Sequence, residues 1–142
     1  MKIKLDWEGN IGLSASTRGF SNIMVDEPPK FHGDDRGPSS IEYLGIGIGG
    51  CLGTSFSYCL QRMEIPTKHI TIELDVDMHH VDEEGINPLR ITKIDADIQV
   101  TLENEEDEDD LGLCIDSFKK YCVVTKSIMN GIPVDITVKK KD

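Results

Sequence analysis

The stretch that fixes the architecture is residues 41–63, IEYLGIGIGGCLGTSFSYCLQRM. Its apolar side chains recur at roughly helical intervals, and Ser39 stands three residues before Glu42, the spacing of a capping box. We therefore predict a helix that begins near Ser40. Five glycines between positions 45 and 53 each cost about 1 kcal/mol relative to alanine, so this helix needs close packing. Because glycines let another backbone approach, the pattern predicts a buried central helix wrapped by sheet.

The same stretch contains two features that suggest different chemistries. Gly45, Gly47 and Gly50 spell G-x-G-x-x-G, the dinucleotide-binding fingerprint, and Cys51 follows directly. That fingerprint requires a strand before the glycines and a helix after them. Here the capping box places the helix start before the glycines, so we interpret the stretch as a glycine-rich helix that carries a thiol. No nucleotide or other cofactor is expected.

The segments on either side of this helix predict an α+β domain with antiparallel strands. Before the helix, we expect strands over residues 2–8 and 12–26 that form a hairpin, followed by a Pro/Gly/Asp-rich loop over 28–38. After the helix, residues 69–80 alternate as a half-buried strand, and residues 89–103 return as another. The apolar phase changes near Thr92 and Lys93, which predicts a bulge or bend there.

The C-terminal third of the chain predicts a second amphipathic helix and a closing strand. The acidic run ENEEDEDD, residues 103–110, is interpreted as a solvated loop leading into a helix N-terminus, where negative charge complements the helix dipole. Helical spacing then includes both Cys114 and Cys122, and Asn130 with Gly131 ends the helical region. Residues 133–138 are predicted to form a strand with three side chains facing inward, Val134, Ile136 and Val138.

Length and charge limit the possible classes of function. The chain has 142 residues, which suits a single domain over 1–142, and 26 acidic against 15 basic side chains give a formal charge of −11. This charge disfavours nucleic acid and anionic membrane surfaces as partners. The N-terminus lacks the apolar run of a secretory signal, and no stretch approaches the roughly 20 apolar residues of a membrane span. We therefore expect a cytoplasmic protein.

Four cysteines are the main candidates for chemistry, because cytoplasmic thiols stay reduced. The sequence contains no Cys-x-x-Cys and no Cys/His cluster at zinc spacing, so no metal site is expected. Cys51 and Cys59 are separated by about 12 Å along one helix, and the same holds for Cys114 and Cys122 if their helix is continuous. Any disulfide must therefore join the first helix to the second. Cys59 and Cys114 are interpreted as small buried hydrophobes.

Cys51 differs from the other cysteines in its glycine-rich surroundings. Gly49, Gly50 and Gly53 flank it and are expected to leave space around the sulfur for a small substrate. Residues 37–51, GPSSIEYLGIGIGGC, together with residues 119–134, KKYCVVTKSIMNGIPV, resemble the OsmC/Ohr family of thiol-dependent hydroperoxide reductases. The resemblance covers nearly the whole chain, since the strand order also fits, and the two cysteine contexts are its most specific parts.

The resemblance implies an OsmC-like fold and a two-cysteine peroxidase with an antioxidant role in the oxidative stress response. Cys51 would attack an organic hydroperoxide or hydrogen peroxide and become a sulfenic acid. Cys122 would then condense with it to a disulfide, which an external dithiol reduces. The resemblance also implies an intertwined homodimer, in which antiparallel sheets from both chains wrap around the central helices.

The proposed thiolate needs a nearby cation, because Cys51 lies in the middle of its own helix, where the dipole contributes little. Two arginines are candidates: Arg18, which the family resemblance favours, and Arg36, which could instead be an exposed charge paired with Asp34 or Asp35. The family's carboxylate stands ten residues before the cysteine, whereas Glu42 stands nine before Cys51. Glu42 is therefore a catalytic candidate that could also be only a helix cap or act across a dimer interface.

This displaced carboxylate leaves a second interpretation open. The chain could be a non-catalytic OsmC-like module that keeps the fold and binds a small apolar or acyl ligand. A peroxidase and a binding module make different predictions for Cys51, since only the peroxidase must consume hydroperoxide.

Overall fold

The computed structural model describes residues 1–104 and 108–141, which form an α+β arrangement of five β-strands and three α-helices. The chain divides into two compact units, Met1–Gly47 and Ile48–Asp142, and the boundary falls inside the long helix α1 (Ser40–Arg62). Both sheets are antiparallel, as predicted, with three strands in the first and two in the second.

The first unit opens with a three-stranded meander: β1 (Ile3–Trp7), β2 (Leu13–Thr17) and β3 (Phe20–Val25). The prediction of one long strand over residues 12–26 was wrong. The chain reverses at Arg18 and Gly19, so that Thr17 pairs directly with Phe20, and Arg18 has a φ of 53°. The residues around this turn are mostly small and polar, and they lack the apolar alternation that would have marked two separate strands.

A buried aspartate organises the loop that follows β3. Within this loop, a single turn of 3-10 helix spans Pro29–Phe31. The Asp26 carboxylate accepts hydrogen bonds from the backbone N–H groups of Glu27, at 2.9 Å, and Arg36, at 3.2 Å. The Arg36 guanidinium reaches the same carboxylate at 3.3 Å and also donates to the carbonyl oxygens of Glu8 and Gly9. Burial alone would raise the pKa of Asp26, but these hydrogen bonds lower it below its ordinary value.

Helix α1 begins where the capping box predicted. The Ser39 N–H donates to Glu42 Oε2 at 2.7 Å, and the Glu42 N–H donates to Ser39 Oγ at 3.3 Å, so the two residues cap the helix reciprocally. The Tyr43 hydroxyl, one turn into the helix, donates to the Met24 carbonyl oxygen at 2.7 Å. The start of α1 is thereby fixed against the end of β3 in the first unit.

The second unit contains a long antiparallel hairpin of β4 (Thr67–His80) and β5 (Leu89–Leu102). Asp77 pairs with Lys93, whereas Met78 pairs with Ile91, so Thr92 is an extra residue on β5. The predicted bulge is therefore confirmed at the position where the apolar phase changes.

Two glycines of α1 allow β4 to pack closely against the helix. A Cβ atom at Gly49 would lie 2.7 Å from Leu74 Cδ1, and one at Gly53 would lie 2.7 Å from Ile72 Cδ1. The predicted close approach of a sheet to the helix is confirmed at these positions. Gly49 and Gly53 were expected to leave space for a substrate around the Cys51 sulfur. Instead, the space beside these two glycines is occupied by side chains of β4.

The second helical region is interrupted. Helix α2 (Glu108–Tyr121) ends directly before Cys122, and α3 (Val123–Asn130) begins directly after it and ends at Gly131. Acidic residues occupy the first turn of α2 as predicted, while residues 105–107 of the acidic run lie outside the described part of the chain. The Phe56 and Phe118 rings lie 4.9 Å apart and join α1 to α2 in a core of Ile48, Leu52, Phe56, Leu60, Ile65, Cys114, Phe118 and Cys122.

The predicted closing strand is absent from the described residues 131–141, which contain no strand or helix. Val134, Ile136 and Val138 were expected to face inward, but their side chains are 77%, 83% and 91% exposed. A strand requires a hydrogen-bonded neighbouring strand, and residues 133–138 belong to neither sheet of the single chain.

Candidate functional site

Two cysteines that lie far apart in the sequence meet in the second unit. Cys51 projects from the middle of α1, and Cys122 occupies the break between α2 and α3. Their sulfur atoms are 2.9 Å apart, and both are free thiols. This pair joins the first helical region to the second, which is the arrangement that the helix geometry requires of any disulfide.

Several hydrogen bonds converge on the Cys51 sulfur. The Val124 backbone N–H donates to Cys51 Sγ at 3.4 Å, and the Thr125 backbone and the Ser55 side chain also interact with it. Partial burial alone would raise the pKa of Cys51. The hydrogen bonds, of which the one from the Cys122 thiol has the largest effect, outweigh burial and lower the pKa below its ordinary value. The site therefore favours a thiolate at Cys51.

The N-terminus of α3 supplies a feature that the sequence analysis missed. Val124 and Thr125 lie in the first turn of this eight-residue helix, where backbone N–H groups have no intrahelical partner. Cys51 lies mid-way along its own helix, as predicted. The N-terminus of α3, which carries a partial positive charge, nevertheless points at its sulfur atom. The run Val123-Val124-Thr125 is β-branched and disfavours helix, which is the sequence signal that could have indicated the break.

The two thiols differ in accessibility. Cys51 is half-buried, whereas Cys122 is 1% exposed and its thiol contacts the Thr125 hydroxyl at 3.1 Å. A reagent from solvent therefore has better access to Cys51 than to Cys122. This difference suits an order in which Cys51 reacts first.

An apolar cavity of about 390 Å³ lies among α1, α3 and β5, and neither Cys51 nor Cys122 lines it. Leu52, next to Cys51, lines it from α1, and Thr125, which contacts Cys122, lines it from α3. The remaining walls are mainly aliphatic and come from both helices and from β5, namely Ile48, Ile91, Thr92, Lys93, Ile94, Ala96, Ile128 and Met129. Such a cavity can accept a small hydrocarbon group, and Thr125 connects it to Cys122.

The other predicted site residues lie in the first unit. Arg18 is exposed in the turn between β2 and β3, with its guanidinium carbon 5.2 Å from the centre of the Phe20 ring. Arg36 forms an ion pair with the buried Asp26, and not with Asp34 or Asp35, the partners in the alternative interpretation of this arginine. The Glu42 carboxylate accepts the Ser39 N–H, and this hydrogen bond lowers the pKa of Glu42 below its usual value.

Cys59 and Cys114 were predicted to be buried apolar residues. Cys114 is completely buried, as expected, whereas Cys59 is half-buried. Among residues 1–104 and 108–141, no cluster of three or more His, Cys, Asp or Glu side chains is arranged to hold a metal ion. Over the same residues, none of the helices combines the length and the apolar character needed to cross a membrane.

Comparison with known sequences identifies a family. The sequence model of the family described as OsmC-like protein matches residues 33–137, which include both Cys51 and Cys122. A search among curated proteins found no match.

Solved structures with OsmC-like folds superpose on most of the chain. An OsmC-like protein from Mycoplasma pneumoniae is 18% identical, with a TM-score of 0.72 over 90% of this chain and 86% of that one. An organic hydroperoxide resistance protein OsmC from Legionella pneumophila is 12% identical, with a TM-score of 0.63 over 89% and 87%. An organic hydroperoxide resistance protein from Elizabethkingia anophelis is 16% identical, with a TM-score of 0.60 over 88% and 84%. At these identities the similarity establishes the fold.

Proposed function

Because this chain belongs to the OsmC-like family and has the OsmC-like fold, we propose that it is a thiol-dependent peroxidase that reduces organic hydroperoxides. The observation that supports this proposal best is the 2.9 Å separation of Cys51 Sγ and Cys122 Sγ. Two of the similar folds are named as organic hydroperoxide resistance proteins, which is consistent with the same class of substrate.

The first step is the attack of the Cys51 thiolate on the distal oxygen of the hydroperoxide. A sulfur–oxygen bond forms and the oxygen–oxygen bond breaks, which oxidises Cys51 to a sulfenic acid and releases an alcohol once a proton is taken up. The lowered pKa of Cys51 increases the fraction of reactive thiolate near neutral pH.

The second step joins the two cysteines. The Cys122 sulfur attacks the Cys51 sulfenic acid, so that a disulfide forms and water is released. Their present separation requires only a small approach, since a disulfide bond is about 2.05 Å long. An external dithiol then reduces the disulfide by thiol–disulfide exchange and is itself oxidised.

The apolar cavity favours an organic hydroperoxide over hydrogen peroxide. Aliphatic side chains such as Leu52 and Ile94 can bury the organic group of the substrate, and hydrogen peroxide has no such group. We therefore expect kcat/KM to be higher for hydroperoxides with a compact apolar substituent than for hydrogen peroxide.

The remaining parts of the proposal come from the family resemblance. Arg18 is proposed as the cation that further stabilises the Cys51 thiolate, and Glu42 as the carboxylate that orients it. The engagement of Arg36 by Asp26 favours Arg18 over Arg36 for this role. The active protein is proposed to be a homodimer.

A steady-state assay with several hydroperoxides and a dithiol reductant tests the proposal. The wild-type protein is expected to turn over, and Cys51→Ser is expected to abolish turnover. In the absence of the dithiol, Cys122→Ser should release about one equivalent of alcohol per chain and retain a Cys51 sulfenic acid that a dimedone-type reagent captures. Cys59→Ser, which replaces a cysteine outside the pair, serves as the matched control. Equal turnover by wild type and Cys51→Ser would refute the proposal.

A second candidate is a binding module without catalysis, and the same apolar cavity favours it. In that case the cavity holds a small apolar or acyl ligand, and the protein does not catalyse the reduction of hydroperoxides. Native mass spectrometry of freshly purified protein would then show a bound mass on the chain. Fast hydroperoxide turnover by ligand-free protein would exclude this candidate.

A further inference from the structure

A second cysteine pair, Cys59 and Cys114, lies on helices α1 and α2. Cys59 follows Cys51 by eight residues on α1, and Cys114 precedes Cys122 by eight residues on α2. The Cys59 thiol lies 3.7 Å from the Cys114 carbonyl oxygen, and the two thiols are in hydrogen-bonding contact. Because α1 and α2 run in opposite directions, the Cys51–Cys122 pair and the Cys59–Cys114 pair are separated by about 12 Å along the helices.

A third sulfur atom joins this second pair. Met63 stands four residues after Cys59, which places both side chains on one face of α1. The distance from Cys59 Sγ to Met63 Sδ is 4.0 Å. Cys59, Met63 and Cys114 therefore bring two thiols and one thioether together, and we call them the sulfur cluster.

The sulfur cluster adjoins an open groove. Cys59 and Met63 line a cavity of about 640 Å³, whose other walls include three aromatic side chains, Tyr58, Phe118 and Tyr121, and the side chain of Arg62. Cys114 lies behind them and is completely buried. A small ion can therefore approach Cys59 and Met63 from solvent, while the buried Cys114 lies on the side of the sulfur cluster that faces the protein core.

We propose that the sulfur cluster is a binding site for a soft monovalent cation of the Cu(I) type, with Cys59, Met63 and Cys114 as its three ligands. Thiolate and thioether ligands suit Cu(I), whereas zinc takes four ligands from Cys, His, Asp and Glu. With metal–sulfur bonds of about 2.3 Å, the length of a zinc–thiolate bond, a trigonal site has sulfur–sulfur separations of about 4.0 Å. The separation of Cys59 Sγ from Met63 Sδ already has this value.

Binding requires no redox change. Cu(I) replaces the protons of the Cys59 and Cys114 thiols, both protons pass to solvent, and the Met63 thioether donates a lone pair. Cys114 is completely buried, and a buried thiolate needs a cation beside it. The bound monovalent cation offsets one of the two thiolate charges, and the complex keeps a net charge of −1.

Competitive titration with Cu(I) tests this site independently of the peroxidase proposal, in a Cys51→Ser/Cys122→Ser background that lacks the first pair. Under anaerobic conditions, with bicinchoninate as the competing chelator, we expect one Cu(I) per chain and an ultraviolet thiolate-to-Cu(I) absorption band. Zn(II) is expected to bind more weakly.

Two ligand variants and one control variant in the same background test the assignment of the ligands. Loss even of an outer-shell partner typically weakens metal binding by about 10- to 100-fold, so Cys59→Ser and Met63→Leu should each weaken Cu(I) binding by at least about tenfold. Met63→Leu nearly conserves volume and is expected to fold. Met78→Leu, outside the cluster, should bind as the background does. Absence of Cu(I) binding, or unchanged affinity in Met63→Leu or Cys59→Ser, would overturn the proposed site.

Discussion

The Cys51 thiol depends on hydrogen bonds from residues more than seventy positions away in the sequence. Val124 and Cys122 both donate to its sulfur, and their positions follow from the break between α2 and α3. The two cysteines could be selected from the sequence because their contexts are distinctive. The N–H donors of α3 could not be predicted, because every residue type except proline carries a backbone N–H. Only the tertiary fold determines which of them points at Cys51.

Replacement of Val124 by proline tests the contribution of this peptide group. Val124→Pro removes the N–H that donates to Cys51 Sγ, and proline is tolerated in the first turn of a helix. Since the lost hydrogen bond favours the thiolate, the pKa of Cys51 should rise. A hydrogen bond to a charged group contributes about 1.5 kcal/mol or more, so alkylation by iodoacetamide at neutral pH should slow roughly tenfold.

The control for this variant is Val123→Pro, which introduces the same ring one residue earlier and keeps the Val124 N–H. Its alkylation profile against pH should match that of the wild type. A Val124→Pro profile that also coincides with the wild type would contradict the role of the α3 N-terminus.

The two arginines should separate into one catalytic and one structural residue. Arg36→Leu leaves the buried Asp26 carboxylate without its cationic partner, so the melting temperature should fall while turnover per folded chain persists.

Arg18→Leu should lower kcat/KM by about 10²-fold or more, the effect typical of losing a group that stabilises developing charge. Arg18→Lys should recover part of the loss. Differential scanning fluorimetry and the peroxidase assay check the two effects, and the reverse pattern would exchange the two roles.

At the level of elements, hydrophobic periodicity identified most helices and strands. Alternation marked β4 and β5 and even located the bulge at Thr92, because burial of one face requires a strict period. Periodicity failed at the turn of Arg18, where apolar side chains are too sparse to reveal a reversal. It also ran through Cys122 without showing the break, since Cys122 itself is buried and keeps the helical spacing.

The packing of β4 against α1 predicts a large effect of a side chain at Gly53. Gly53→Leu would force its side chain into Ile72, and overpacking of this kind typically destabilises by about 1–3 kcal/mol. Gly112 lies in α2 with open space around its Cα, so Gly112→Leu should leave stability unchanged or raise it by up to about 1 kcal/mol. Urea unfolding of both variants measures the difference. Equal stabilities would contradict close contact between β4 and the helix.

At the level of the whole molecule, the structure of a single chain does not explain why the C-terminal segment, residues 133–138, exposes apolar side chains. Residues 133–138 alternate as a strand should, yet Val134, Ile136 and Val138 face solvent. The alternating pattern predicted a strand that the structure of the single chain does not contain, because a pattern cannot state which chain supplies the hydrogen-bonded neighbour. An unpaired strand with an apolar face is a surface for pairing with another chain.

We therefore expect the intact protein to be a homodimer that depends on this segment. Replacement of Val134, Ile136 and Val138 together by serine should shift the protein toward monomer in sedimentation velocity. A matched triple replacement of Asp135, Thr137 and Lys139 by serine alters the alternate side chains and should keep the dimer. An intact protein that sediments as a monomer would contradict the expectation.

The most direct test of the proposed redox pair is to locate the disulfide after one equivalent of an organic hydroperoxide has reacted with the fully reduced protein. Peptide mapping by mass spectrometry should find Cys51 joined to Cys122, while Cys59 and Cys114 remain thiols because Cys114 is buried and its pKa is raised. Four thiols still free after the reaction, or a disulfide that excludes Cys51, would contradict the assignment.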